Sequence, residues 1–382
     1  MKFVFTSHTY APYKDGVQAV NKYLLEGIAA RGHEVVLFTA THPDAPEEET
    51  LNGVHIFRLP IYCIHCIRHG DKEEYRRRII EQTNDADALI NIAVQIPWTD
   101  WCYGILDDIR CRKVLYLHGM FDFSWQRVNF LSFGTFAHKV YNQLRWRLYY
   151  LGAKRIFRKY DEVTFLHQED VSLHYFKERF GISGQVIENA ADYEFFQPAD
   201  FSIDIDAPKK YGVFVGNYLR DKNQEFILNA FYRSDLPDDF SLIFIGSSAT
   251  HYFERLKSCN EKLERRYGKR DVRFLISVPR EETREYIKRA SMCLVGSMHE
   301  VYPMSVVESM ASGVPFISTP VGCVGYLPGG VIVKSERQMA LWMKILHDNP
   351  ECAQQLGKAG RCYAVNNQSI DVSVDRLLDV IS

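Results

Sequence analysis

Short apolar runs alternate with helical patterns along most of the chain. In the first forty residues, an apolar run at 3–6 is followed by turn residues at 12–16, by apolar positions at helical spacing over 17–28, and by a second apolar run at 35–39. Further strand-type runs fall at 54–59, 88–92, 114–117, 163–166, 213–215, 242–245, 272–276, 293–295 and 315–318. Strands that alternate with helices predict parallel βαβ units, and therefore the α/β fold class.

The pattern is interrupted once, in a stretch rich in proline and aspartate that ends at Pro208. We therefore predict a linker at 196–208 between two Rossmann-like domains, one at 1–195 and one at 209–362. A length of 382 residues suits two domains with cores of their own. Two parallel units in succession predict a cleft, with ligands outside the carboxyl ends of the strands.

Composition and charge narrow the class of protein. With 46% hydrophobic and 25% charged residues the chain is not of the disordered type, and a net charge of −2 argues against a general nucleic-acid binder. The nine cysteines are odd in number and scattered, which favours a reducing compartment. The start of the chain turns polar after one short apolar run, and no stretch is long enough to span a membrane. We therefore expect a cytoplasmic protein, soluble or lying on a membrane surface.

Several common catalytic signatures are absent from the sequence. There is no P-loop, no G-x-G-x-x-G, no G-x-S-x-G and no zinc-protease H-E-x-x-H. One cluster resembles a metal site, with Cys63, His65, Cys66 and His69 close together. A structural zinc site needs a second ligand pair at suitable spacing, which the chain lacks, so we expect no metal.

The segment 297–315 carries the most chemical information. Pro303 suits the start of a helix and Gly313 its end, and the preceding apolar run predicts that this helix begins at the carboxyl end of a strand. The free N–H groups of a helix start attract anions such as a diphosphate. Glu300 precedes this helix, and Glu308 lies within it.

An ordinary amphipathic helix is the alternative interpretation of the same residues. Ser305, Glu308, Ser309 and Ser312 recur at the spacing of one helix face. On that view Glu308 is simply part of a solvated polar stripe.

Glu300-x7-Glu308, followed by Ser-Met-Ala-Ser-Gly-Val-Pro, resembles the E-x7-E signature of the retaining GT-B glycosyltransferases of family 4 (glycosyl transferases group 1). Four other segments resemble family motifs in the same order along the chain. They are the glycine loop at 12–16, the His-Gly segment at 118–122, the interdomain strand at 186–192 and the donor loop at 214–223. The resemblance implies a GT-B fold, with two Rossmann-like domains facing a cleft and a C-terminal helix, 363–382, that packs back on the N-terminal domain.

The resemblance also implies roles in binding a nucleotide-sugar donor. Glu300 would bind hydroxyls of the donor sugar, and Glu308 would accept hydrogen bonds from the ribose. Lys222 would neutralise the diphosphate, together with the helix start at Met304 and Ser305. No metal cofactor is implied, because these groups replace the cation.

Other implied positions either fit the family pattern or depart from it. Gly16 would let backbone N–H groups approach the phosphate. His118 would lie near the anomeric carbon, where it would orient the acceptor or stabilise developing oxocarbenium charge. A histidine with satisfied hydrogen bonds at a strand end remains the alternative for His118. Asn217 stands where the family has a donor-loop arginine, for which Arg220 could substitute. Position 17 is valine instead of the second glycine, and the glutamate that usually follows the glycines near 322–325 is missing.

The segment 123–160 is basic and aromatic. It holds eight Lys/Arg and eleven aromatic residues but no Asp or Glu, and it includes Trp125, Arg145, Trp146 and Arg147. Such a helix lies on an anionic membrane, which would suit a lipid-linked acceptor. A helix with core aromatics and solvated cations explains it equally well, and a nucleic-acid surface is the weaker third interpretation.

The resulting functional hypothesis is a retaining transferase. It would move a hexose-type sugar from a UDP- or GDP-linked donor to a glycan or lipid-linked acceptor, in cell-surface polysaccharide or lipopolysaccharide synthesis. The alternatives are a sugar-nucleotide 2-epimerase, which would turn over donor without acceptor, and a non-catalytic GT-B subunit, which would not bind donor.

Overall fold

A computed structural model describes residues 1–13, 16–64, 67–121, 123–125, 127–130 and 132–382. The chain divides into two compact units. Unit 1 comprises Met1–Ile187 together with Val374–Ser382, and unit 2 comprises Glu188–Ser373.

Unit 1 contains a twisted, mostly parallel sheet with helices between its strands. Its strands are β1 (Lys2–Thr6), β2 (Glu34–Ala40), β3 (Glu48–Leu51), β4 (Val54–Leu59), β5 (Tyr62–Ile64), β6 (Ile67–His69), β7 (Ala88–Ile92), β8 (Arg112–Tyr116), β9 (Glu162–Phe165) and β10 (Gln185–Val186). Its helices are α1 (Gly16–Ala30), α2 (Lys72–Thr83), α3 (Pro97–Asp100), α4 (Phe133–Phe157) and α5 (Val171–Phe180). The strand order is β10-β9-β8-β7-β1-β2-β4-β3, in which only β3 is antiparallel to its neighbour, while β5 and β6 form a separate hairpin.

Unit 2 is a doubly wound parallel sheet. Its strands are β11 (Lys210–Val215), β12 (Phe240–Gly246), β13 (Val272–Ile276), β14 (Met292–Val295), β15 (Phe316–Ser318) and β16 (Gly330–Ile332). Its helices are α6 (Gln224–Tyr232), α7 (His251–Tyr267), α8 (Arg280–Lys288), α9 (Met304–Ala311), α10 (Glu336–Asp348) and α11 (Pro350–Asn367). The order β13-β12-β11-β14-β15-β16 reverses between β11 and β14. Loops that leave neighbouring strands on either side of such a reversal form the usual ligand site of this architecture.

Large apolar side chains hold unit 2 together. Phe231, Phe244, Leu294 and Met339 are buried in one cluster, and the rings of Phe244 and Phe274 stack with their centroids 5.4 Å apart. Burial of each such side chain contributes about 1.5–3 kcal/mol. This cluster gives the loops at the strand ends a rigid base.

The C-terminal helix α12 (Ile370–Ile381) returns to unit 1. Its residues from Val374 onward count with that unit, where Arg31, the residue after α1, pairs with Asp375 at 2.8 Å. A Cβ atom on Gly27 would stand 2.7 Å from Cγ2 of Val374, so the absence of a side chain there permits the close contact of the two helices. The end of the chain thus belongs to unit 1 from Val374 onward, as the resemblance implied, whereas residues 363–367 of the implied helix belong to α11.

The secondary structure differs from the sequence-based expectation at the edges. Strands β3, β5, β6 and β16 were not predicted, because three or four residues with few apolar side chains give no recognisable period. Of the interdomain strand implied at 186–192, only Val186 lies in a strand, β10. The chain passes from unit 1 to unit 2 after Ile187 and returns to unit 1 after Ser373. The residues of the expected linker, 196–208, therefore lie within unit 2. Within the described residues, no helix has the length and hydropathy that crossing a membrane requires.

Candidate active site

Two loops of unit 2 bring Lys222 and Glu300 together at the point where the strand order reverses. Lys222 lies in a 3₁₀ turn after β11, and Glu300 follows β14. The Lys222 Nζ atom lies 2.6 Å from Oε1 of Glu300, which also accepts a hydrogen bond of 2.8 Å from the Ser297 hydroxyl. The Met298 N–H donates to the Asp221 carbonyl at 2.7 Å, so the two loops are also joined through their backbones. The result is a fixed, partly exposed ion pair at the expected ligand site.

The backbone around Glu300 is held by a close contact with Gly322. Gly322 has a φ of +49°, and a Cβ atom there would stand 2.1 Å from the carbonyl oxygen of Val301. The N–H of Cys323 donates to the same carbonyl at 3.2 Å. Only glycine fits this approach without strain.

A buried polar network holds the other end of the Glu300 loop. The hydroxyl of Tyr302 donates to Oε2 of Glu188 at 2.6 Å, and the hydroxyl of Tyr363 donates to Oε1 at 2.7 Å. The side-chain amide of Gln368 donates to the Tyr302 hydroxyl at 2.6 Å and to Oε2 of Glu188 at 3.2 Å. Sequence reasoning missed this network because its members are more than sixty residues apart, except for Tyr363 and Gln368.

Helix α9 begins at Met304 with Pro303 as its N-cap, which supplies no side-chain cap. The N–H groups of Val306 and Val307 bond to the Pro303 carbonyl, whereas Met304 and Ser305 occupy the first two helical positions, where no intrahelical acceptor exists. Both residues are partly exposed. The start of the helix therefore presents N–H donors of the kind that bind anions.

Glu308 is buried inside α9, with 4% of its surface exposed, and the neighbouring Ser309 is fully buried. The interpretation of these residues as a solvated polar stripe is therefore wrong. Arg280, at the start of α8, donates from Nη2 to Oε1 of Glu308 at 2.6 Å. Burial raises the pKa of Glu308, and the charge of Arg280 opposes that rise. Glu308 in turn raises the pKa of Arg280.

The two donor-loop positions that depart from the family pattern have different surroundings. The carboxamide oxygen of Asn217 accepts a 2.6 Å hydrogen bond from the Ser247 hydroxyl, and its backbone carbonyl accepts from Gln224 at 2.9 Å. Arg220 is exposed, and within the described part of the chain its side chain makes no ion pair. The structure thus brings Lys222 and Glu300 into contact but leaves Arg220 apart from them.

His118 and Gly16 belong to unit 1. His118 follows β8, and its Nε2 atom is buried without a hydrogen-bond partner among the described residues. The alternative of a satisfied histidine is therefore wrong for that nitrogen. Burial lowers the pKa of His118 to about 4, so the ring is neutral near pH 7. Gly16 is exposed and is the first residue of α1.

Most of the basic aromatic segment forms α4, which lies wholly within it. The Arg145 guanidinium lies over the Trp146 ring at 4.3 Å, and Arg147 is exposed. Trp125 contacts the aromatic rings of Phe130 and Phe136, with centroids 5.4 and 5.6 Å away. Both are exposed, so only part of the aromatic content of the segment is core.

Some predicted features fall outside the described residues. These are Lys14 and Asp15 of the glycine loop, His65 and Cys66 of the cysteine cluster, Asp122 of the His-Gly segment, and Gln126 and Leu131 of the basic segment. Among the residues that are described, no three His, Cys, Asp or Glu side chains are placed to hold a metal ion.

Comparison with known proteins gives two matching family profiles. Residues 196–361 match "Glycosyl transferases group 1", and residues 14–195 match "Glycosyltransferase Family 4". An uncharacterized glycosyltransferase of Methanocaldococcus jannaschii is 24% identical over 193 residues, which cover 48% of this chain and 47% of that protein. The match thus spans about half the length of this curated relative.

Solved structures with the same fold cover nearly the whole chain. Sucrose-phosphate synthase from Thermosynechococcus elongatus has a TM-score of 0.75 at 18% identity and covers 99% of this chain and 98% of its own. Anabaena HepE in complex with UDP-glucose has a TM-score of 0.69 at 13% identity, with coverage of 100% and 99%. WaaG, a glycosyltransferase involved in lipopolysaccharide biosynthesis, has a TM-score of 0.65 at 16% identity, with coverage of 100% and 99%. With both profiles matched in sequence order and the GT-B fold present, the chain belongs to the family 4 glycosyltransferases.

Proposed function

We propose that the chain is a retaining glycosyltransferase that moves a hexose-type sugar from a UDP- or GDP-linked donor to a glycan or lipid-linked acceptor. The observation that carries this proposal is the pairing of Lys222 with Glu300 beside the start of α9, at the strand-order reversal of unit 2. A cation, a carboxylate and free helical N–H groups at one strand edge match the phosphate and hydroxyl groups of a sugar nucleotide.

Each donor residue has a chemical task in this proposal. Lys222 exchanges part of its interaction with Glu300 for the diphosphate, and the N–H groups of Met304 and Ser305 bind the same phosphates. Glu300, relieved of that cation, accepts hydrogen bonds from sugar hydroxyls, and Glu308 accepts them from the ribose. These groups balance the diphosphate charge without a metal ion.

Two further donor-loop positions complete the donor side. Arg220 is exposed in the same turn as Lys222. It supplies a second cation for the phosphates, because the arginine that the family has in its donor loop is Asn217 in this chain. The carboxamide of Asn217, bound by Ser247, holds the loop after β11 in place. The role of Gly16 in approaching the phosphate stays a prediction.

We assign acceptor orientation to His118 in unit 1. Its neutral ring and its buried, unpartnered Nε2 suit a hydrogen bond with an acceptor hydroxyl better than storage of a proton, because the pKa of about 4 leaves it uncharged. Sugar transfer with retention would then proceed by same-face substitution. The neighbours bound to UDP and UDP-glucose make UDP-sugars the first donors to try, and the likeness to WaaG supports a lipopolysaccharide-type or other cell-surface acceptor.

Donor turnover distinguishes this function from its alternatives. The chain is incubated with UDP- and GDP-hexoses, with and without glycan and glycolipid acceptors, and both released nucleotide and transferred sugar are measured. We expect acceptor-dependent release and a product whose anomeric proton coupling matches that of the donor. Sugar interconversion without acceptor would favour an epimerase, and the opposite anomer would contradict retention.

The exposed face of α4 favours action at an anionic membrane surface. Its apolar residues recur at intervals of three and four over almost the full helix and stay exposed, although other residues of α4 are buried. They are Phe133, Phe136, Val140, Tyr141, Leu144, Leu148 and Leu151. A helix of 25 residues is about 37 Å long, and apolar residues on opposite faces indicate a second apolar environment besides the core.

Charge distinguishes a membrane from a second copy of the chain as the partner of this face. The segment 123–160 has eight cationic and no acidic residues. Two copies meeting through the same face would bring like charges together, whereas phosphate headgroups neutralise them. We therefore propose that α4 binds anionic lipid and keeps the enzyme near a lipid-linked acceptor, on the cytoplasmic side.

Vesicle co-sedimentation tests the membrane contact. Wild type is expected to bind vesicles with 30% phosphatidylglycerol and to bind pure phosphatidylcholine at least about tenfold more weakly. Replacing Leu144 and Leu148 together by serine should lower binding by about tenfold or more, because each leucine buried is worth about 1.5–3 kcal/mol. The matched control is Leu341→Ser on α10, also exposed. Equal binding by all three proteins would contradict the proposal, and a concentration-dependent dimer lost in the double variant would indicate self-association instead.

A further inference from the structure

The buried carboxylate of Glu308 is held from one side only. Its Oε1 atom accepts the hydrogen bond from Arg280, and no hydrogen bond reaches Oε2 from the described residues. Arg280 is itself held by three groups. Besides its hydrogen bond to Glu308, its Nη2 atom lies 3.4 Å from Oδ2 of Asp192, and its guanidinium lies 5.0 Å from the centroid of the Phe195 ring. One carboxylate oxygen is therefore fully engaged, while the other keeps its acceptor capacity.

We propose that Arg280 is a positioning residue for the donor nucleotide: it fixes the Glu308 carboxylate through Oε1 and so presents Oε2 to the ribose hydroxyls of a nucleoside diphosphate. This inference rests on the proposed function, since it takes the nucleotide to bind beside Glu308. Nothing in the local sequence signals the pair, whose members are 28 residues apart. The half-exposed guanidinium reaches the buried carboxylate from the start of α8.

Charge is the reason that this position needs a cation. A carboxylate at 4% exposure loses most of its hydration, and burial alone favours its neutral form. Asp192, on the segment before Phe195, adds a negative charge that acts in the same direction. On β14, the titratable group that interacts with Glu308 is the thiol of Cys293, which is buried and uncharged. On α11, the cation Arg361 binds the Ala311 carbonyl at the far end of α9. Among these groups, Arg280 is the one whose charge opposes the rise in the pKa of Glu308 that burial causes.

Removal of this cation should make nucleotide binding depend on pH. In the Arg280→Gln variant nothing opposes the rise in the pKa of Glu308 that burial and Asp192 cause, so the carboxylate takes up a proton at a higher pH than in wild type. A protonated carboxyl loses acceptor capacity, and affinity falls with it. In wild type, Arg280 opposes that proton uptake, so affinity should change less with pH than in the variant.

Calorimetric titration with UDP, GDP, ADP and TDP from pH 6 to 8.5 tests the inference on the full chain. We expect Arg280→Gln to bind the preferred nucleotide about tenfold more weakly than wild type at pH 7 and more weakly still at pH 6, as the loss of a charged hydrogen bond implies. Arg280→Lys should stay within about threefold of wild type at every pH. The matched control, Arg265→Gln, removes an arginine on α7 whose side chain is 78% exposed, and it should bind as wild type does.

The outcomes separate this inference from the proposed function. If wild type binds none of the four nucleotides, the donor site itself is refuted. If wild type binds and Arg280→Gln matches it at all pH values, the role of Arg280 alone is overturned. Thermal melting shows whether Arg280→Gln folds; if it does not, Arg280→Lys decides, because a loss of tenfold or more in that variant would also overturn the role of the cation.

Discussion

Replacing Gly322 by alanine should disturb the donor site from a position that carries no functional group. The new Cβ atom would stand 2.1 Å from the Val301 carbonyl oxygen and 2.8 Å from the Glu300 carbonyl oxygen, whereas real Cβ contacts essentially never fall below 3.0 Å. The loop must therefore retreat by about 0.9 Å. A left-handed φ of +49° adds about 1–2 kcal/mol for any residue with a Cβ. In total we expect a loss of about 2–4 kcal/mol in the free energy of unfolding.

The same shift acts on the chemistry. A retreat of the Glu300 loop breaks or lengthens its 2.6 Å contact with Lys222, so donor affinity should fall by about tenfold. Differential scanning calorimetry should show a melting temperature about 5–10 °C lower, and titration with the donor nucleotide reports the binding.

A matched control lies three residues away. Gly325 has nothing within 4 Å of its Cβ position, and its φ lies outside the left-handed region. Gly325→Ala should therefore melt within about 1 °C of wild type, as surface substitutions usually do, and bind donor normally. If Gly322→Ala and Gly325→Ala behave alike, the steric account of the loop is refuted.

Three other substitutions test separate parts of the account. Tyr302→Phe removes a hydroxyl that donates a hydrogen bond to Glu188, so it should lower the free energy of unfolding by about 1.5–3 kcal/mol and weaken binding of the nucleotide sugar. Tyr363→Phe should lower the free energy of unfolding by less and leave nucleotide-sugar binding intact. Equal effects of the two variants on binding would contradict a link between this network and the Glu300 loop. Burial lowers the pKa of His118 to about 4, so the turnover rate should not fall between pH 8 and pH 5.5 through protonation of this histidine. A fall in rate toward acidic pH that His118→Gln abolishes would refute the neutrality of the ring. Lys222→Met should raise the donor KM by about tenfold or more, while Lys222→Arg retains part of the affinity; unchanged KM in the methionine variant would exclude this lysine from phosphate binding.

Buried parallel strands are the part of the fold that the sequence predicts best. Strands such as β4, β7 and β13 are found at their predicted residues. β7 is buried along its whole length and gives a continuous apolar run, while β4 and β13, although less buried, still have a majority of apolar residues. The β5–β6 hairpin was missed because its side chains are largely exposed and each strand has only three residues. The C-terminal helix implied at 363–382 is found as α12, Ile370–Ile381, because residues up to Asn367 continue α11.

Pairings across the sheet mark the limit of sequence-based prediction for the site. The family resemblance named both Lys222 and Glu300, and the structure brings them together although 78 residues separate them. The resemblance gave no partner for Glu308, and the spacing of the polar residues on α9 also fitted an ordinary amphipathic helix with a solvated polar face. Burial of Glu308 and its pairing with Arg280 depend on how α8 packs beside α9, which no spacing along the chain encodes.

Saturation-transfer NMR with UDP-, GDP-, ADP- and TDP-sugars, on wild type and Glu308→Ala, tests the central claim most directly. The account predicts transfer to one donor class in wild type, with signals on both ribose and sugar protons, and a strong loss of the ribose signals in the variant. Absence of transfer to every donor, or equal ribose signals in the two proteins, would contradict a donor site built on Glu300 and Glu308.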